Sequence, residues 1–191
     1  MPIVTREYLS WSQMLTWEKG PDAYYRQYIL GERFTSKEME FGKRIAQGLE
    51  QKETNDPAVE FCRLWLPEPE KKEYEARAQF ESVPLLVKLD GWSEIGLVDE
   101  YKTGKVKWTQ ERANKHGQLT IYDMVIWKLT GKIPNNRLFW IPTQENERGE
   151  IELTGDIPQC FETERTLKDF MLMYARVSKA WDGINKFCKT L

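Results

Sequence analysis

The fold is decided by residues 85–122, LLVKLDGWSEIGLVDEYKTGKVKWTQERANKHGQLTIY. Val83 to Leu89 is short, apolar-rich and β-branched at Val83 and Val87, the composition of a strand that delivers Asp90 at its end. Gly91 loosens the chain. Ile95 to Tyr101 reads as a second strand, broken by Thr103-Gly104-Lys105. Side chains alternate across a strand, so Glu100 and Lys102 share one face and Asp99 takes the other. A narrow turn near Ser93–Gly96 then sets Asp90 opposite Glu100, two carboxylates with an ammonium beside them. Hard divalent cations take oxygen ligands of this kind, with water and phosphate completing the shell. Such an ion can activate a water and steady charge on a phosphate.

An acid two residues before a lysine is a weak sign alone, because a chain this rich in charge repeats it, as at Glu70-Lys71-Lys72. An exposed hairpin edge with paired charges gives the same triplet. The context adds more. An apolar run precedes Asp90, another precedes Glu100, Thr103-Gly104 follows Lys102, and a helix then carries Gln118 and Tyr122 one turn apart. In that order the residues resemble the RecB-type, exonuclease-like branch of the PD-(D/E)XK nuclease superfamily. Its pattern is a strand ending in Asp, a strand with Asp/Glu-x-Lys and often Thr-Gly, and a helix bearing Gln-x-x-x-Tyr. The opening YLSWSQMLTWEKGPDAYYRQYILGE is similar to that branch too, and the resemblance spans Tyr8 to about Trp140.

The resemblance implies a metal-dependent DNA nuclease acting in recombination, repair or mobile-element processing. Asp90 and Glu100, with Glu50, would hold one or two magnesium or manganese ions, and the Tyr101 carbonyl would add a ligand. Lys102 would orient the attacking water or help deprotonate it, and Gln118 and Tyr122 would place DNA or the catalytic groups. A helicase or recombination protein is the kind of partner implied. Some relatives hold an iron–sulfur cluster on four cysteines, one beside the proline that matches Pro21. Gly20 stands in that place here and the chain has three cysteines, so no cluster is expected. The competing reading from another class is a non-catalytic nucleic-acid- or protein-binding module on a nuclease fold. The complete set Asp90, Glu100 and Lys102 speaks for the enzyme.

A chain of 191 residues is expected to form one domain, 1–191, with a sizeable core. No apolar run has the length of a membrane span, no leader-like start is seen, and Cys62, Cys160 and Cys188 fit neither a disulfide framework nor a zinc pair. The expected setting is a reducing cytoplasm without membrane attachment. A net charge of −2 argues against a wholly basic nucleic-acid binder. The charge is uneven, however. Lys102, Lys105, Lys107, Arg112 and Lys115 face one acid, Glu111, and form a candidate phosphate-binding run. The acids from Glu145 to Glu164 read as a solvated face.

Around this stretch, Ser10 and Gln13 form a capping box, and Pro21 opens a second helix whose tyrosines are mainly core. Thr35 and Glu38 form another box, opening a helix that reaches about Gln51 with Phe41, Ile45 and Leu49 as its stripe. Gly42, Ala46 and Glu50 form the adjacent row. The resembled branch often has a His at the middle place, and Ala46 rules that ligand out here. Asp56-Pro57 starts a short helix that buries Phe61, Leu64, Trp65 and Leu66. Thr109 caps a helix through Leu129, and His116, the only histidine, reads as surface or cleft rim. Arg137–Ile141 is a strand stopped by Pro142, Glu150–Leu153 a short edge strand, and a long amphipathic helix follows Thr163. The expected fold is α/β, a mixed central sheet of about four strands (Tyr74–Phe80, Val83–Asp90, Ile95–Lys102, Arg137–Ile141) flanked by helices, as in restriction-endonuclease-like cores.

Overall fold

The computed structural model describes residues 7–51 and 55–191. A six-stranded mixed sheet forms its centre. Strands β1 (Lys71–Phe80), β2 (Val83–Ser93) and β3 (Leu97–Gly104) are an antiparallel meander. Strand β4 (Asn135–Glu145) lies parallel to β3, and β5 (Ile151–Leu153) and β6 (Gln159–Thr163) both pair antiparallel with β4. The expected four strands are present; β1, β2 and β4 are longer than read, and β3 is shifted two residues on, running through Thr103-Gly104 instead of being broken there. Pro142 does not stop β4, which runs on to Glu145, because proline costs nothing at a rung where no N–H is needed. Strand β6 lies inside the acidic run that read as a solvated face. Its alternation is hidden because only Phe161 and Thr163 turn inward.

Helices α1 (Trp11–Glu18), α6 (Gly117–Thr130) and α7 (Leu167–Cys188) form the larger core with β1 and β2, around Met14, Leu85, Leu89, Leu119, Ile126, Val177 and Ile184. A second, smaller core packs α3 (Lys37–Glu50) and α4 (Pro57–Trp65) against β4 through Phe41, Ile45, Val59, Cys62, Phe139 and Ile141. Helix α2 (Pro21–Tyr24) runs into a π-helical turn, Tyr25–Ile29, and Tyr24 is core as expected. No described helix is long and apolar enough to cross a membrane.

The capping box of Ser10 and Gln13 and the Asp56 cap are as read. Three local readings change. Ser36, not Thr35, caps α3 by accepting from the Met39 N–H. Leu64 and Trp65 are exposed, and α4 buries Val59 and Cys62 instead. The segment from Thr109 is two helices, α5 (Gln110–Asn114) and α6, because Arg165 takes over the carbonyls at the break. Its guanidinium donates to Ala113 O at 3.0 Å and to His116 O at 3.3 Å, closing α5 where α6 begins. Gly117 at that restart is tight against Trp11, with no room for a Cβ.

Candidate active site

The sheet opens where β2 and β3 carry their charges. Their ladder ends at Gly91↔Asp99, and the next rung would set Asp90 against Glu100. There the Tyr101 N–H donates to Asp90 Oδ2 at 2.7 Å. The pleat of β2 also skips. Val83, Leu85, Val87 and Leu89 alternate into the larger core, and Trp92 joins the same core at the wrong parity. Asp90 and Gly91 absorb the extra step. Gly91 is forced by crowding, since a Cβ would lie 2.8 Å from Pro69 and 3.0 Å from Asp99. Opposite Asp90 on β1 stands Glu73, missing from the ladder, with φ at 48°. A non-glycine residue in left-handed backbone is uncommon and marks local strain.

As the alternation requires, Glu100 and Lys102 meet and Asp99 goes elsewhere. Lys102 Nζ pairs with Glu100 Oε1 and also donates to Gln118 Oε1 at 2.9 Å. Gln118 Nε2 in turn donates to the Tyr122 hydroxyl, which donates to the Lys88 carbonyl at 2.7 Å. The Gln-x-x-x-Tyr helix face is therefore a bracket for the lysine, built into the core rather than onto the basic loop. His116 packs near it. It lies edge-on between Trp11 and Trp108, at centroid distances of 6.1 and 5.1 Å, and its buried Nε2 has no hydrogen-bond partner. Burial, then the charge of Lys102, lowers its pKa to about 4, so it is neutral and packed rather than at the surface. Asp99 is fully buried on the other face, held by Arg137 through two bonds of 2.7 and 2.9 Å.

Electrostatically the cluster is tense. Burial, then the neighbouring Glu100 charge, raises the Asp90 carboxyl well above its usual range, and the partial relief from Lys102 and the Tyr101 N–H does not cancel it. Burial also works against the Lys102 charge, but Glu100 and Asp90 outweigh it and raise its pKa. Glu100 is 1% exposed, and its second oxygen, Oε2, is buried with no hydrogen-bond partner. A buried carboxylate oxygen without a donor is costly, and a cation is the partner that would satisfy it.

Among the described residues no three histidine, cysteine or carboxylate side chains lie close enough together to hold an ion by themselves. The donor set still suits magnesium or manganese, which need only one or two protein carboxylates beside water and phosphate. Glu50 is exposed at the end of α3 and shares with Asp90 the wall of a cavity of about 400 Å3. Glu73 lies on that wall too, ion-paired with Lys88. The sequence reading passed over Glu73. The register of β1 on β2 is the signal that would have found it. A second cavity of about 370 Å3 shares Asp90 with the first and lies between α3 and the residues Tyr101, Lys102 and Thr103.

The basic run is less free than its composition suggests. Lys105 pairs with Glu145 at 2.7 Å and Glu38 at 3.4 Å, and Lys115 with Glu111 at 2.6 Å. Arg112 stacks over Trp108 at 4.0 Å, and Lys107 lines a separate surface hollow with Trp140 and Asp156.

No protein-family profile matches the chain, and no curated protein sequence does. Among solved structures, a protein from Eubacterium rectale named "Putative exonuclease" aligns with 95% of this chain and 81% of its own, at a TM-score of 0.59 and 14% identity. At that identity the likeness is one of fold, and the chain shares with that protein an α/β architecture in which helices flank a central mixed sheet.

Proposed function

We propose that the protein hydrolyses DNA phosphodiester bonds with the help of a divalent metal ion, as a deoxyribonuclease of the RecB-type PD-(D/E)XK branch. The observation that carries this is the cluster of half-buried Asp90 and Lys102 around a buried Glu100 that has one oxygen left without a partner. The order of motifs in the sequence and the fold shared with a protein named as an exonuclease support it.

In this reading Asp90 and Glu100, with the Tyr101 carbonyl and Glu50 from the cavity wall, hold magnesium or manganese. When bound, the ion supplies an activated water and charge to offset the phosphate. Lys102 stays an ammonium, so its part is to donate to the water or to a phosphate oxygen, and Gln118 and Tyr122 fix its direction. Lys105, Lys107, Arg112 and Lys115 supply contacts to the backbone farther out, the first and last by exchanging a surface carboxylate for phosphate. A helicase or recombination protein that delivers a strand end is a natural partner for a chain without a nucleotide-binding loop.

The test is incubation with end-labelled single- and double-stranded DNA in magnesium, manganese or EDTA. Cleavage in either metal and its loss in EDTA is the expected result; cleavage undiminished by EDTA would overturn the mechanism. Gln118 offers a finer check. Its loss frees Lys102 from one of two tethers, so Gln118→Ala should slow cleavage by roughly tenfold or more. Metal affinity should change little. An alanine variant that melts lower yet cleaves at the wild-type rate would assign Gln118 to the scaffold alone.

A further inference from the structure

A groove runs between α3 and β3. Gly42 brings the helix close to the strand, since a Cβ there would lie 2.9 Å from Thr103 Oγ1. One turn on, Ala46 is too short to fill the space, and the result is the cavity of about 370 Å3 that ends at Asp90 and Lys102. Lys43 stands on its rim, exposed.

The lysines around this site are engaged. Lys72 pairs with Glu68, Lys88 with Glu73, Lys105 with Glu38 and Glu145, and Lys102 with Glu100. Arg44, the neighbour of Lys43, pairs with Asp56 at 3.2 Å and stacks over Phe41. Lys43 makes no ion pair among the described residues. A cation kept free of carboxylates, in a groove that leads to a cationic lysine and an ion-binding carboxylate, is matched to a polyanion.

The two cavities that meet at Asp90 also differ in charge. The one on the Glu50 side carries Glu50, Glu68, Glu73 and Asp90 against Arg63 and Lys72. The one on the Lys43 side carries Glu38 and Asp90 against Lys43 and Lys102. The first is net negative and the second balanced, so an anionic strand meets less repulsion in the second.

We infer that the groove along α3 is the bed of the DNA strand beside the bond to be cut, and that Lys43 binds a backbone phosphate in it. This rests on the nuclease reading above. It makes Lys43 a binding residue for a neighbouring nucleotide and places the strand on the Gly42–Ala46 face of α3.

The experiment measures binding and cleavage separately. Affinity for a short fluorescent oligothymidylate is titrated at several salt concentrations in EDTA, for the wild type, Lys43→Ala and Lys43→Arg. One phosphate contact contributes about 0.7 to the slope of log K on log salt for a single strand. Lys43→Ala should lower the slope by about that amount and weaken binding roughly fivefold to tenfold at low salt. Lys43→Arg should keep both. In magnesium, Lys43→Ala should raise KM with kcat nearly unchanged. An alanine variant with wild-type slope and affinity overturns the inference whether or not the protein cuts DNA. A Lys43-dependent slope in a protein that never cleaves would keep the strand path and remove the nuclease reading.

Discussion

Lys102→Ala should lose about a hundredfold or more in turnover, the scale expected when a preorganised donor to developing charge is removed. The structure makes the loss specific. Lys102 is clasped between Glu100 and Gln118 and sits beside Asp90, and neither Lys88 nor Lys105 can take its place without leaving its own acid. Metal binding should survive, because the alanine removes a positive charge from the ligand set and leaves both carboxylates. Calorimetric titration with manganese alongside single-turnover cleavage separates the two effects. Full cleavage by the alanine variant would strip Lys102 of its role; lost metal binding would show it to be a scaffold for the carboxylates. Lys102→Arg should rescue little, since a planar fork does not fit a bracket built for a compact ammonium.

The largest effect on stability should come from Arg137→Met. Asp99 is fully buried, and the Arg137 guanidinium is its bidentate partner from the adjacent rung of β4. Breaking such a pair from one side leaves a buried charge uncompensated and costs about 3–5 kcal/mol. For a chain of this size that lowers Tm by about 6–20 °C. Removing both charges together should recover most of the loss, because the penalty belongs to the orphaned carboxylate rather than to the missing bridge. Denaturant unfolding of Arg137→Met, Asp99→Leu and the double variant gives the coupling directly. A single variant within 1 kcal/mol of wild type would show that water reaches Asp99 after all.

The charged strands were legible in the sequence because alternation fixes which residues share a face, whatever lies around them. That rule alone separated Asp99 from Glu100 and Lys102, and the structure keeps the separation. The helix face bearing Gln118 and Tyr122 was legible for the same reason, one turn being one turn. Its target was not. A helix period says that two side chains project together, and only the packing of α6 against the sheet makes them meet Lys102. Arg165, far along the chain, closes the break at which α6 begins. Glu73 was hidden because its importance comes from strand register and an unusual φ, neither of which leaves a mark in composition. The basic run misled in the opposite way. Five cations in fourteen residues suggest a free positive surface, but Glu38 and Glu145, distant in sequence, fold over onto Lys105.

The parallel pairing of β3 with β4 has a consequence for the order in which the protein assembles. The meander β1–β2–β3 closes through short turns, whereas β4 can join β3 only after the chain has traversed α5 and α6. Short loops close at small entropic cost and parallel crossovers at a larger one. On this topology Asp90, Glu100 and Lys102 are expected to be gathered first, by the hairpin, and the Gln118 and Tyr122 bracket to arrive with the later crossover. Two acids and one ammonium would then stand together before their surroundings close over them, so burial of the charged cluster is expected at the end of folding rather than at its start.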